Sequence, residues 1–362
     1  MKRIITFQDF RLMLVMGGVF ATLAIGLWQL TGMIFYLYNF TIIGVSLVLG
    51  MGLWPLLPQQ HKPWARRLSQ LLVGGYMFFG LGMGLIYLLF GVISPENMQI
   101  EGFWFWLLGG ISAASVMHYL IAKIVGPFIF NRGWCGWSCW TVALLDFLPW
   151  KKSAGRVSRR WEHLRYLHFV LGLGLVLILN CFYDYGLPQT LGMVGDLPEL
   201  TFPVSRYATL WEISELWWFL GGNLAYFGVG ILLAWRLRDN RAFCKYFCPV
   251  AVFLKLGSRA SLVKIGADSE ACTDCKVCEK HCPMDIRLTE YIQQGRRVTC
   301  SECILCLTCT SVCPQQALQV TFGGDLGTKD LVWRRSDYFP RDRATRPQKK
   351  TGPRDRGGRS LL

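Results

Sequence analysis

Charged residues avoid five long stretches of this chain and crowd into the intervals between them. No Asp, Glu, Lys or Arg occurs in 12–60, 68–95, 102–122, 166–183 or 216–235. A membrane-crossing helix needs about 20 apolar residues, so the first stretch accommodates two helices and each of the others one. The pattern predicts six transmembrane helices. Basic residues flank alternate intervals: Lys2, Arg3 and Arg11, then Lys62, Arg66 and Arg67, then Arg132 through Arg165, then Arg236 through Lys245. The other intervals are uncharged or carry mainly acids, among them Glu96, Glu101, Asp184 and Glu199. Positive charge is retained on the cytoplasmic side, which predicts that both termini are cytoplasmic.

Composition agrees with this reading. The chain is 52% hydrophobic and 17% charged, with a mean hydropathy of +0.33, too apolar for an ordinary soluble enzyme. A net charge of +15 raises the question of nucleic acid. Much of that charge sits beside the apolar stretches, where it suits anionic lipid headgroups, and no nucleic-acid partner is expected. Small residues such as Gly80 and Gly84 in GLGMG fit a face on which two helices pack closely. The expected organisation is a transmembrane domain over 1–250, a connector over 251–267, a cysteine-rich domain over 268–322 and a basic, disordered tail over 323–362.

The cysteines carry the chemistry. Cys272, Cys275, Cys278 and Cys282 are followed by Pro283, and the same spacing recurs in Cys303, Cys306, Cys309, Cys313 and Pro314. Three soft thiolates from one tight loop cap three corners of a [4Fe–4S] cube, and the cysteine before proline serves the neighbouring cluster. One cluster is therefore expected on Cys272, Cys275, Cys278 and Cys313, and a second on Cys303, Cys306, Cys309 and Cys282. Zinc sites use paired ligands with longer spacers, and disulfides do not suit a reducing compartment. Cys300 is a ninth cysteine in this unit, a spare thiol or an alternative ligand, the spare thiol being favoured.

A second constellation lies earlier in the chain. Cys135 and Cys139 end one predicted span, and Cys244 and Cys248 end another; each pair is spaced to share a helix face. These four thiols are candidate ligands for a further cluster or a metal, or else unligated buried cysteines. His118 and His168 fall within predicted spans, and intramembrane ionisable residues are candidates for function. Quinone, haem and a structural role all remain open for them.

Residues 268–322 resemble bacterial-type two-cluster ferredoxins. That resemblance implies an α+β unit of two halves related by pseudo-twofold symmetry, working in electron transfer. Taken with GWCGWSCW and RAFCKYFCPV, most of the chain resembles the membrane-bound polyferredoxins. These include the quinol dehydrogenase subunit of periplasmic nitrate reductase, the carboxyl-terminal half of the nitrous oxide reductase regulator, and a cytochrome oxidase assembly factor. Cys244, Cys248 and Pro249 match the family's CxxxCP motif, whereas Trp140 stands where the first motif would have proline. The resemblance implies a multi-pass protein of a bacterial or archaeal cytoplasmic (inner) membrane with its ferredoxin domain in the cytoplasm. Expected partners are the membrane, the quinone pool and a redox protein. The expected function is electron transfer, as a quinol dehydrogenase or electron-transfer subunit of an oxidoreductase. A copper reductase or assembly factor for a respiratory metalloenzyme and a redox-sensing regulator are the alternatives.

Overall fold

Among the described residues of the computed structural model, four helices are long and apolar enough to cross a membrane: Arg11–Thr31, Ile34–Leu56, Arg159–Tyr183 and Ser214–Leu237. The structure describes residues 7–91, 95–108, 114–150, 155–183, 207, 210–327 and 329–337. The helix ending at Tyr183 turns its apolar side chains outward, with Val170 61% and Phe182 81% exposed. A helix apolar all round that is not buried in protein suits a lipid surround.

The other two expected spans are not single continuous helices. Lys62–Gly75 continues through a wider π-helical turn over Tyr76–Gly82 and then stops. Gly84 follows at φ +75°, where an added Cβ would lie 2.5 Å from Pro95 and 2.8 Å from Leu210. Only glycine fits there, so the helix ends at this point and a new one, Leu85–Phe90, starts beyond it. Gly84 is therefore a helix breaker, and Gly82 is the glycine packed against a neighbouring helix, at the Phe219 ring. The fourth expected span is built from Ile100–Leu108, Ala114–His118, a π-helical Tyr119–Val125 and Gly126–Phe130. Most of the acidic interval after Tyr183 lies outside the described residues.

Beyond the helices the chain forms a small α+β unit, as expected. Strand β1, Val263–Ala267, pairs antiparallel with β2, Leu318–Phe322, with Val263 opposite Phe322 and Ala267 opposite Leu318. The short helices Val277–Lys280, Leu288–Gln293 and Thr308–Val312 lie between the strands in sequence. Val263, Ile265, Tyr291, Ile292 and Leu318 bury the apolar side. Two boundaries move. The expected connector holds most of a helix, Val250–Ser258, and β1 itself. Residues 329–337, expected in a disordered tail, fold back onto the unit. The Trp333 amide donates to Asp285 O at 2.7 Å, its indole donates to Glu279 at 2.6 Å, and Val332 forms a bridge with Ile286. Residues 338–362 lie outside the described residues.

One carboxylate joins the two parts. Glu302, 1% exposed, is paired with Arg132 at 2.6 Å, Arg165 at 2.9 Å, Arg156 at 3.2 Å and Lys255 at 2.8 Å. Arg132 follows the fourth segment, Arg165 opens the helix to Tyr183, and Lys255 comes from Val250–Ser258. Burial alone would raise the Glu302 carboxyl, but Arg156, Arg165, Arg132 and Lys255 hold it well below the usual carboxylate range.

Removing one partner of a buried ion cluster leaves charge uncompensated, at a cost of about 3–5 kcal/mol. Arg165→Met should therefore lower the thermal unfolding midpoint of the detergent-solubilised protein; an unchanged midpoint would count against the network. A carboxyl with a depressed folded pKa stabilises the fold above its unfolded pKa of about 4.3, and loses that contribution as pH falls through the folded value. Attachment of the α+β unit should accordingly weaken only in acid below about pH 4, seen as new cleavage of residues 259–262 by an acid-active protease.

Candidate functional site

The two cysteine loops share one backbone path. In the first, Asp274 and Lys276 have φ of 51° and 57°; in the second, Leu305 and Leu307 have 48° and 58°. The residues three past the last cysteine of each motif, Asp285 and Gln316, lie at 56° and 53°. None of these six is glycine, and a left-handed residue costs an L-amino acid roughly 1–2 kcal/mol. Strain repeated at matching offsets marks a backbone shaped around something it holds. The turns bring backbone amides toward sulfur: that of Leu305 favours the Cys303 thiolate, and those of Met284 and Ile286 favour that of Cys282.

The thiols fall into two groups. Cys272, Cys275, Cys278 and Cys313 line one small cavity with Pro314, Ile292 and Leu318. Cys282 stands instead beside Cys303 and Cys306, and Cys309 is close to all three. Burial, then the neighbouring Cys306, pushes the Cys282 thiol up. Cys303 is pushed up to about 12, by burial first, against a Leu305 amide bond that favours the thiolate. These thiols are neutral at pH 7 until a cation draws off their protons, as the iron of a cluster does. The groups differ in position: Cys275 is exposed, whereas Cys303 and Cys306 are buried. Cys300 is fully buried beside Tyr291, which is its neighbour rather than either group.

Cys135, Cys139, Cys244 and Cys248 are also brought together. All four line a single cavity with Lys123, Trp134, Tyr119 and Tyr226. Burial, then Cys135 and Cys139, pushes the Cys248 thiol up to about 12. Among the described residues no three His, Cys, Asp or Glu side chains are close enough to grip one metal ion. A four-iron cluster spreads its ligands over separate irons and asks for wider spacing.

The second ferredoxin loop rests directly on the first cysteine pair. The Trp137 indole donates to Leu305 O at 2.9 Å, and a Cβ on Gly136 would run into the Ile304 carbonyl oxygen. Lys245, between the other two cysteines, bonds Asp285 at 2.6 Å and Asp239 at 2.7 Å. Arg241 donates to Cys135 O at 3.0 Å and to Asp146 at 2.7 Å. Sequence alone does not distinguish Lys245 and Arg241, or the Glu302 partners Arg132, Arg156 and Arg165, from charge at a membrane surface. A signal was present: Asn131-Arg132 and Asn240-Arg241 precede both cysteine pairs at one spacing.

The two histidines part company. His118 lines an apolar cavity of about 260 Å³ with Phe20, Met51, Met77, Trp137 and Leu305. Its ring meets Trp134 edge-on at 4.7 Å, and its Nε2 has no hydrogen-bond partner among the described residues. His168 is engaged elsewhere, its Nδ1 3.0 Å from Phe247 O and its ring beside Phe247 and Tyr226.

A family described as a 4Fe-4S dicluster domain matches residues 264–321. A second, described as a 4Fe-4S binding domain, matches twice, over 114–161 and 222–267, and so takes in both earlier cysteine pairs. The uncharacterized protein MJ0749 of Methanocaldococcus jannaschii is 39% identical over 236 residues, covering 63% of this chain and 79% of that protein. MJ0750 of the same organism is 28% identical over 265 residues, covering 71% and 94% respectively. YccM of Escherichia coli, provisionally named an electron transport protein, is 30% identical over 202 residues, covering 56% and 54%. No solved structure matches.

The close approach at Gly136 can be tested. Gly136→Ala forces the Cβ against a backbone carbonyl that cannot swing aside, an overpacking cost of about 1–3 kcal/mol. The expected result is a lower unfolding midpoint, while Gly133→Ala, where the nearest atom is a Phe130 Cβ at 3.5 Å, leaves it nearly unchanged. Equal effects would remove the special role of this contact.

Proposed function

The chain belongs to the membrane-bound polyferredoxin family of 4Fe–4S binding proteins, and on that premise we propose that it carries electrons between a quinol in the membrane and a redox protein at the surface of its α+β unit. Cys272, Cys275, Cys278 and Cys313 would hold one cluster, and Cys303, Cys306, Cys309 and Cys282 the other. When bound, each cluster supplies a one-electron carrier. The observation that supports the route is the order of the groups. The buried group leans on the helices through Leu305 and Trp137, and the group containing exposed Cys275 faces outward.

The donor site suggested by this arrangement is the apolar cavity at His118. Its volume lies just under the range usual for small-molecule sites, and its wall is apolar with few polar groups, as such sites are. A quinol oxidised there gives up two electrons and two protons. His118 Nε2 has no other partner among the described residues and is placed to accept one proton from a quinol hydroxyl, the second proton passing to water, while Trp134 holds the ring on edge. The electrons leave singly through the loop at Leu305, which borders the same cavity. The cytoplasm is the side to which the basic flanks assign the α+β unit, so the acceptor is a cytoplasmic redox protein. A histidine wedged between Glu101 and Phe247 has less freedom to serve, and His168 is assigned to packing between the helix to Tyr183 and the second cysteine pair.

Two outcomes test this reading. Removing an acid–base group costs about 10²–10⁴ in rate, so His118→Leu should slow cluster reduction by a lipid-soluble quinol by that factor while dithionite still reduces the protein fully. A quinol rate matching the wild type would exclude the cavity as the donor site. Cys282→Ser should remove about four irons per chain and spare the cluster of the outer group, because Cys282 serves the cluster across from its own motif. Loss of the outer cluster instead would reverse the ligand assignment.

A further inference from the structure

The membrane part contains its own internal repeat, and it ends in a four-thiol cavity that the two-cluster reading leaves unused. Asn131-Arg132-Gly-Trp-Cys135-Gly-Trp-Ser-Cys139 and Asn240-Arg241-Ala-Phe-Cys244-Lys-Tyr-Phe-Cys248 follow one backbone path. Each forms a single helical turn, Gly133–Trp137 and Ala242–Tyr246. Each then brings its second cysteine amide back to the aromatic carbonyl five residues earlier, Cys139 to Trp134 at 3.1 Å and Cys248 to Phe243 at 2.9 Å. Each starts a new helix just beyond, Trp140–Leu145 and Val250–Ser258.

We propose that Cys135, Cys139, Cys244 and Cys248 together ligate a third iron–sulfur cluster, one centre shared by the two repeats, lying between the helices and the buried ferredoxin-type group. The inference deepens the electron-transfer reading above and rests on it for its role, though not for its ligands.

Four observations carry it. The thiols come from two segments about a hundred residues apart and line one cavity, an arrangement that apolar packing of cysteines does not require. The backbone amide three residues on favours the thiolate of the second cysteine of each pair, Val142 for Cys139 and Ala251 for Cys248. Backbone amides favour the thiolates of Cys282 and Cys303 in the same way, and amides directed at sulfur are among the protein's means of stabilising a cluster. Third, positive charge surrounds the cavity. Lys123, 2% exposed, places its ammonium 3.1 Å from the Trp134 ring centroid, and Arg132 also lines the cavity. A cube with four thiolates is a net anion, and a dry pocket bordered by the Lys123 ammonium suits it better than it suits an uncharged ligand.

Position is the fourth. Cys135 and Gly136 sit under the Cys303–Cys306 loop, joined to it by the Trp137–Leu305 hydrogen bond. Trp134 borders both this cavity and the one at His118. A centre here shortens the path from the quinol site to the ferredoxin-type clusters and divides it into steps. Each step moves one electron and makes or breaks no covalent bond; the quinol is the reductant and the next cluster the oxidant.

Iron and acid-labile sulfide counted on the anaerobically purified full-length protein, with redox-poised electron paramagnetic resonance, test the proposal. About twelve irons per chain are expected, falling to about eight in Cys135→Ser/Cys248→Ser with two signals retained. A wild-type count of about eight overturns the third centre and leaves the two-cluster reading intact. A count of twelve that survives the double substitution also overturns it. Fewer than about eight irons in the wild type would overturn both readings. Should the double variant fail to fold, Lys123→Met decides. Removing a nearby positive charge disfavours the reduced, more negative form, so one midpoint potential of three should move to a lower value. If no potential moves, or all move together, the assignment fails.

Discussion

A buried carboxylate beside Cys303 organises this molecule. Glu302 precedes Cys303 directly and is paired with cations from three separate parts of the chain. A carboxylate removed from water gains stability only where its charge and lone pairs are fully matched, and a guanidinium left alone in such a place is as costly. Helices and α+β unit are thereby obliged to fold onto one another: neither set of charges can be buried without the other. Lys245 with Asp239 and Asp285 repeats the device on the opposite cysteine pair, and Arg241 and Arg66 on Asp146 extend it among the helices.

That obligation has a consequence for electron transfer. Transfer between centres depends on a short and fixed separation, and a ferredoxin unit on a free tether would provide neither. Here the loop carrying Cys303 and Cys306 is held to the cysteine pair beneath it by one indole hydrogen bond and by a glycine with no room for a side chain. The outer cysteine group, with Cys275 exposed, remains accessible to another protein. The fold thus has a fixed inner junction and an open outer face, the asymmetry expected of a relay between a membrane donor and a diffusing partner.

Much of this was legible in the sequence because its signals are local. Cysteine spacing specifies a loop, and the repeated spacing specifies two of them in an α+β unit, which the structure closes with the strand Leu318–Phe322. What escaped depends on contacts distant in the chain or on single residues. Hydropathy sums treat Gly84 as one more small residue, yet its left-handed backbone ends a helix that the window continued. Arg132, Arg156 and Arg165 are indistinguishable in sequence from charge held at a lipid surface until Glu302 is found among them. Residues 329–337 look like the start of a basic, polar tail, but Trp333 and Val332 anchor them to the first cysteine motif. His118 and His168 looked equivalent, and only the cavity separates them.

The most direct test of the account is to uncouple the junction while sparing the cysteines. In Glu302→Gln, iron content and full reduction by dithionite should match the wild type, while reduction of the ferredoxin-type clusters by a lipid-soluble quinol should slow markedly because the loop at Leu305 no longer sits firmly on Trp137. Quinol-driven reduction at the wild-type rate would show that the ion cluster is not what joins the membrane part to the clusters, and would contradict the account at its centre.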